Sequence, residues 1–168
     1  MVEIRPLRED DALEDLISLS REFFEEYESH HRDFFEIGRL SEGDIVDYFS
    51  RSIDSEDGET FIALAGSRIV GYITVYVRTQ PGFWKINRVG GISGLMVQQA
   101  YRRRGIAGQL LAKARAFFEK KAVRYFTVYT AVANRSALAF YEQSGLRPLY
   151  TTMMGEIDLT KIGVRGTM

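Results

Sequence analysis

QQAYRRRGIAGQLLAKARAFF, residues 98–118, decides how the rest of this chain is read. Arg102, Arg103 and Arg104 run into Gly105, and an apolar pattern at helical spacing follows at once: Ile106, Leu110, Leu111, Ala114, Phe117 and Phe118. That spacing predicts a helix over 103–121. A helix N-terminus offers unpaired N–H groups and a partial positive charge, so an acid ordinarily stands in its first turn. Here bases stand there, an arrangement stabilised when an anion arrives. Gly105, Ala107 and Gly108 carry little or no side chain and let a ligand approach the backbone. Together these residues describe a cradle for a diphosphate. Taken alone, a solvated run of arginines beside incidental glycines is an equal reading. No G-x-x-x-x-G-K-[ST] is present, and the glycines of VGGISG (89–94) lead into a strand-like run rather than a helix.

The bulk properties bound the answer. The chain has 168 residues, enough for one domain with a real core and short of two. Hydrophobic residues make up 45% and charged residues 27%, an ordinary globular balance. No apolar run approaches the ~20 residues that span a bilayer, and MVEIRPLRED lacks the apolar core of a signal peptide. With no cysteine there is no disulfide, and with two histidines a structural zinc site is not expected. These features point to a cytoplasmic protein that needs neither metal nor membrane. A net charge of −1 argues against nucleic acid as the partner. The average hides an asymmetry. Residues 42–59 hold seven acids against Arg51, whereas residues 102–124 hold eight bases against Glu119. One acidic and one basic region suit a cationic ligand and an anionic one, though solvated helix faces account for much of the pattern.

Outward from the arginine stretch, the chain reads as alternating elements. VEIRPL is a first strand. Asp10 or Asp11 caps a helix carrying Leu13, Leu16, Ile17, Phe24 and Tyr27 on one face. Ser41 with Asp44 opens a second helix that runs to about Ile53. TFIALAG and RIVGYITVYVRT are strands joined by a tight turn at Gly66-Ser67. QPGFWKINRVGG is a loop whose end can be extended, and GISGLMVQ is a buried strand. After the helix over 103–121 come a strand in RYFTVYTAV and a helix capped by Asn134 that runs through Gln143 and ends at Gly145. LRPLYTTMMGEIDL closes the chain as a strand. The expected fold is α/β (α+β mixed), with the order β-α-α-β-β-β-α-β-α-β. Tight turns give antiparallel pairs and the crossover a parallel one, so the sheet is mixed and twisted with helices on both faces. Residues 1–160 form the single domain, and residues 161–168 read as a loose tail.

In this context the arginine stretch resembles the GNAT superfamily of acetyl-CoA-dependent N-acetyltransferases. Arg102-Arg103-Arg104-Gly105-Ile106-Ala107 matches its (Q/R)-x-x-G-x-(G/A) pyrophosphate signature. The Leu95-Met96-Val97 strand precedes it, and the Asn134, Ala137, Tyr141, Gly145 and Leu146 pattern follows. The specific motifs cover residues 92–147. The resemblance implies acetyl-CoA as co-substrate. Backbone groups of Leu95, Met96 and Val97 would pair with the pantetheine arm as an added strand, and an N–H at Met96 or Val97 would polarise the acetyl carbonyl. Amides from Arg103 through Gly108, Ile106 and Ala107 among them, would hold the pyrophosphate. Side chains of Arg102, Arg103 or Arg104 would reach the outer phosphates. Asn134 would contact the arm or a water, and Tyr141 would protonate the departing thiolate. Read without the family, Asn134 is a helix cap and Tyr141 a core residue.

The implied chemistry is direct transfer of an acetyl group to a primary amine while both substrates are bound. An amine of pKa ~10 must first lose a proton. Many members of this family carry a glutamate on the strand before the cradle, but here that strand reads Gly91-Ile92-Ser93-Gly94. A water or an acid from the first helices then serves as base. Residues 21–36 mix six acids with Phe23, Phe24, Tyr27, Phe34 and Phe35, and include His30 and His31. That wall suits a cationic amine with an apolar portion, such as a polyamine, an amino sugar or a peptide N-terminus; a solvated acidic helix face is the other reading. Trp84 is either a lid or a packed loop anchor. A non-catalytic acyl-CoA-binding sensor is the alternative function. A homodimer through the terminal strand or the helix faces is compatible with the pattern, though no feature demands it.

Overall fold

The turn at Gly66-Ser67 forms as the sequence requires: Gly66 takes φ +64°, a value that suits glycine, and joins β2 (Gly58–Ala65) to β3 (Arg68–Thr79). The computed structural model describes residues 1–161. Around this hairpin lie β1 (Glu3–Pro6), α1 (Leu13–Glu28), α2 (Glu42–Ser50), β4 (Arg88–Val97), α3 (Ile106–Lys120), β5 (Phe126–Val128) and α4 (Arg135–Gln143). Short 3-10 turns occupy Gln99–Tyr101 and Leu159–Lys161. The strands lie in the order β1-β2-β3-β4-β5. The first three pairings are antiparallel, and β4 pairs with β5 in parallel after the α3 crossover.

Period-two alternation sends the strand side chains to two separate cores. Phe61, Ala63, Ile73 and Val75 meet Ile106, Leu110, Leu111, Ala114, Phe117 and Phe118 of α3 on one face. Ile62, Leu64, Tyr72 and Met96 meet Leu16 and Leu19 of α1 and Ile45 and Phe49 of α2 on the other. This is the mixed sheet with helices on both faces that the sequence predicts. Ser41 and Asp44 form the expected capping box at α2, and Gly145, at φ +87°, follows α4.

Several boundaries differ from the sequence reading. The expected closing strand over LRPLYTTMMGEIDL is not formed: residues 146–158 join no sheet, because alternation alone supplies no edge to pair with. The strand expected in RYFTVYTAV shortens to Phe126–Val128. β4 begins at Arg88, so the end of the QPGFWKINRVGG stretch is extended, as its reading allows. α3 starts at Ile106 rather than residue 103, because Arg103 (φ +63°) and Gly105 (φ +76°) both leave the helical region. The cap of α1 is also different. Ala12 holds the N-cap position, while Asp11 accepts from the Arg5 guanidinium at 2.8 Å and from the Arg8 amide at 2.7 Å. It therefore ties the end of β1 to the start of α1. All but the first residue of the expected tail, 161–168, lies outside the described residues.

Candidate active site

The site is built where the sheet divides. β4 pairs with β3 along its length, but with β5 only from Gly90 to Ile92. A β-bulge separates the pairs Thr74–Gly94 and Val75–Ile92 and leaves Ser93 without a partner in the register. Bulges bend a strand and end a pairing, and beyond this one β4 and β5 part company. Two glycines make the approach to the bulge feasible: a Cβ at Gly90 would stand 2.5 Å from the Phe118 ring, and one at Gly91 would stand 2.2 Å from that of Tyr76.

The register determines which backbone groups face the gap. The Gln98 amide donates to Val70 O at 2.8 Å, so Gln98 points toward β3. In an antiparallel ladder this direction alternates. Met96 and Gly94 therefore also turn their backbone to β3, while Leu95 and Val97 turn theirs to the gap. Of Met96 and Val97, the two sequence candidates for polarising an acetyl carbonyl, only Val97 has an outward amide. The Met96 side chain is buried on the α1 face. The Val97 carbonyl already accepts from Arg102 Nε at 2.8 Å.

At the end of this open edge the chain makes the turn read from the arginines. Arg102 is extended, Arg103 and Gly105 take positive φ, and the first helical bond runs from the Gln109 amide to Gly105 O at 3.1 Å. Among the described residues no group accepts from the amides of Arg103 through Gly108, and no acid stands in the first turn of α3. The space above them is open: a Cβ at Gly105 or at Gly108 would meet nothing within 4 Å. Ile106 is buried and Ala107 partly so, anchoring the turn to the core. The arginines divide. Arg103 and Arg104 are exposed, Arg104 lying over the Tyr101 ring at 5.2 Å. Arg102 turns back from the cradle to pair with Glu26 of α1.

α4 carries the remaining sequence candidates. Asn134 Oδ1 accepts from the Ala137 amide at 3.1 Å and so caps α4. Tyr141 is buried, its ring edge-on to Phe140. Burial pushes its phenol up to about 12, because the anion would lose its hydration. Arg115 Nη2 donates to Ser144 O at 2.7 Å and fastens the end of α4 to α3.

Residues 13–146 match the acetyltransferase (GNAT) family. The chain belongs to this family. Members use acetyl-CoA as the acyl donor, and the open amide cradle fits its pyrophosphate. The chain is similar to the N-alpha-acetyltransferase daf-31 of Caenorhabditis elegans, at 32% identity over 77 residues, 45% of this chain. The matched stretch spans 41% of that relative's length. Two solved structures share the fold. BH1408 protein from Bacillus halodurans, as a tetramutant, superposes with a TM-score of 0.80 at 18% identity, over 92% of this chain and 99% of its own. AAC(6')-Iy in complex with a bisubstrate analog superposes with a TM-score of 0.73 at 18% identity, over 94% and 99%.

In this GNAT chain α2 reaches the bulge of β4 through Tyr48, and α1 reaches the turn after β4 through Glu22 and Glu26. Tyr27 stacks on Phe23 at 5.5 Å and meets Phe35 edge-on at 4.6 Å, and Phe34 packs against Phe35 and His31. His31 Nδ1 accepts from the Phe34 amide at 3.1 Å, a turn-forming bond. Glu28 accepts from the Ile37 amide at 2.7 Å. The acids of α1 are thus partly committed: Glu28 closes the loop after the helix, Glu26 holds Arg102, and Glu22 takes the Gln99 amide at 3.4 Å. Trp84 is exposed beside Phe83. Among the described residues no group of three or more His, Asp or Glu side chains could hold a metal, and no helix is long and apolar enough to cross a membrane.

One pair at the bulge escaped the sequence reading. Tyr48 of α2 brings its hydroxyl to 2.5 Å from Ser93 Oγ. Both residues are exposed. The only local sign of Ser93 is a polar residue between the glycines of GISG. Tyr48 leaves no such sign, because its partner lies 45 residues away.

Proposed function

We propose that this protein is an acetyl-CoA-dependent N-acetyltransferase that moves an acetyl group directly to a primary amine, with both substrates bound together. The carrying observation is the row of unpartnered amides from Arg103 to Gly108 beneath open space, at the end of an unpaired strand edge. The acceptor we infer is a small cationic amine or a peptide amine. The aromatic and acidic wall of α1 supports that class, since it offers apolar area beside carboxylates.

Acetyl-CoA supplies an activated acetyl group. The chain's part is to hold, orient and handle protons. The amides of Arg103 through Gly108 hold the pyrophosphate, with Arg103 and Arg104 free to reach outer phosphates. Arg102 stiffens the turn instead, through Val97 O and Glu26. Outward groups of Leu95 and Val97 bond the extended arm as a strand would, and the Val97 amide donates to the acetyl oxygen. Asn134 spends its side-chain oxygen on the helix cap and keeps its amide NH2 to donate to the arm or a water. Tyr141 stays protonated at every working pH, since its phenol sits at about 12. Tyr141 is then the proton-bearing group that we place at the departing sulfur. The amine's proton leaves through water along the Tyr48–Ser93 side, where the strand carries no acid.

That missing acid also favours a second reading, an acyl-CoA-binding sensor without turnover. One experiment separates the two: thiol release from acetyl-CoA against polyamines, amino sugars, amino acids and short peptides. The cysteine-free chain adds no thiol background. Release with one amine class is the expected result. Tight calorimetric binding of acetyl-CoA, with no release for any amine or peptide, would favour the sensor.

A further inference from the structure

Beside the bulge, the face of β4 and β5 turned away from α3 is paved with tyrosine. Gly91 makes room for the first of them: a Cβ there would stand 2.2 Å from the Tyr76 ring, so glycine lets that ring lie across β4. Tyr76 and Gly91 are register partners, and Gly91 pairs in turn with Thr127 of β5, so the three share one face. The neighbouring Gly90 backs onto the Phe118 ring, which places the α3 core on the opposite face. Beyond Thr127, Tyr129 meets Tyr150 with ring centroids 5.9 Å apart. α1 and α2 pack against β2, β3 and Met96 and leave this floor open. Tyr129 and Tyr150 are accordingly 63% and 57% exposed.

Arg78 stands at the end of the floor. It follows Tyr76 by two residues in β3, on the same face, and is exposed. The Tyr150 hydroxyl lies in the field of Tyr129, Arg78 and Tyr76 together, which brings the guanidinium to the phenols. Among the described residues no carboxylate pairs with Arg78. Asp57 comes past this strand end, its carbonyl accepting from the Val77 amide at 2.7 Å, but its carboxylate turns to Arg88, 3.8 Å away. Arg88 in turn reaches Lys121 O on the α3 side. Arg78 is thus left as a planar fork of donors with hydroxyls around it, the geometry that takes a carboxylate or a phosphate. A polyamine, cationic along its length, would meet it as a like charge.

The register also sets a length. Arg78 lies four residues along β3 from Thr74, the partner of Gly94 at the bulge, or about 13 Å of strand. Allowing for the reach of the side chain, an anion at Arg78 and an amine at the bulge stand about 10 Å apart, the span of three extended residues.

We propose, on the reading that transfer takes place at the bulge of β4, that Arg78 and the tyrosine floor bind an anionic group of the acceptor, a carboxylate or a phosphate held about 10 Å from the amine that receives the acetyl group. This narrows the acceptor to amines with an anionic end and sets polyamines aside.

Binding is titrated calorimetrically with CoA present, using Gly-Ala-Ala against its C-terminal amide, and glucosamine 6-phosphate against glucosamine. The parent should bind the anionic member of one pair about 10-fold more tightly than its neutral partner, the worth of one charge-assisted hydrogen bond. The pair that shows the difference tells carboxylate from phosphate. Arg78→Gln should erase that difference with the melting midpoint unchanged, because the side chain is exposed and pairs with no carboxylate. A parent that binds none of the four compounds, or that favours neither anionic member, would overturn the proposal. A preference that Arg78→Gln leaves intact would overturn it too. Thiol release from acetyl-CoA is read in parallel: binding that depends on Arg78 without release would remove the transfer reaction and leave the anion subsite standing.

Discussion

Gly105→Glu tests the cradle most directly. Gly105 sits at φ +76° and ψ 5°, in the left-handed region. A residue with a Cβ pays about 1–2 kcal/mol to stay there. No atom within 4 Å opposes the new Cβ, so strain is the main cost to the fold. For a chain of this length that lowers the melting midpoint by roughly 2–8 °C. Binding should suffer far more. The new carboxylate stands over amides that have no other partner, and it both fills the space and repels the pyrophosphate. Losing two charge-assisted hydrogen bonds at about 1.5–3 kcal/mol each weakens acetyl-CoA binding by roughly 10²- to 10⁴-fold. Calorimetric titration reads the affinity, and circular dichroism with thermal melting reads the fold. Gly105→Ala shares the backbone strain without the charge, so the difference between the variants isolates electrostatics and bulk. A folded Glu variant that binds acetyl-CoA within about threefold of the parent would refute the cradle.

Other perturbations probe the remaining parts. Tyr141→Phe should lower turnover by about 10- to 150-fold, the worth of one hydrogen bond to a charged sulfur, with acetyl-CoA affinity unchanged in the same titration. Because burial raises the folded pKa of Tyr141 from 10 to about 12, the unfolded chain loses that proton first and the parent loses stability as pH rises from 10 to 12; the melting difference between parent and Tyr141→Phe should be constant below pH 10 and change only across that window. Asp11 behaves oppositely. Its hydrogen bond from Arg5 holds its carboxyl below the usual range, so its stabilisation is present at neutral pH and is lost as pH falls through the acid range. Parent protein should melt above Asp11→Asn at pH 7 and converge with it by about pH 2. Tyr48→Phe removes the bond to Ser93 at the bulge; turnover should fall while acetyl-CoA affinity holds, and equal turnover at every pH would remove this pair from the proton path.

Much of this architecture follows from short-range patterns. The helical spacing from Ile106 to Phe118, the capping box of Ser41 and Asp44, the Asn134 cap and the Gly66 turn all depend on residues within a few positions of one another. Local chemistry of that kind is written in the sequence. The cradle is legible for the same reason: glycine, small residues and the missing first-turn acid are neighbours in the chain. The absence of a strand glutamate at Gly91–Gly94 was equally plain.

What the sequence did not disclose depends on partners far along the chain. Three arginines read alike, yet Arg102 is drawn away by Glu26, 76 residues distant. Leu95, Met96 and Val97 also read alike, and only the bond from Gln98 to Val70 tells which backbones face the gap. The bulge at Ser93 and its Tyr48 partner exist only once α2 is laid on β4. The segment 149–158 has a strand's pattern and no ladder, since alternation shows which face seeks cover and cannot name what provides it. Propensity and period are properties of one segment, whereas register, ion pairing and edge cover are properties of two, and folding brings those two together.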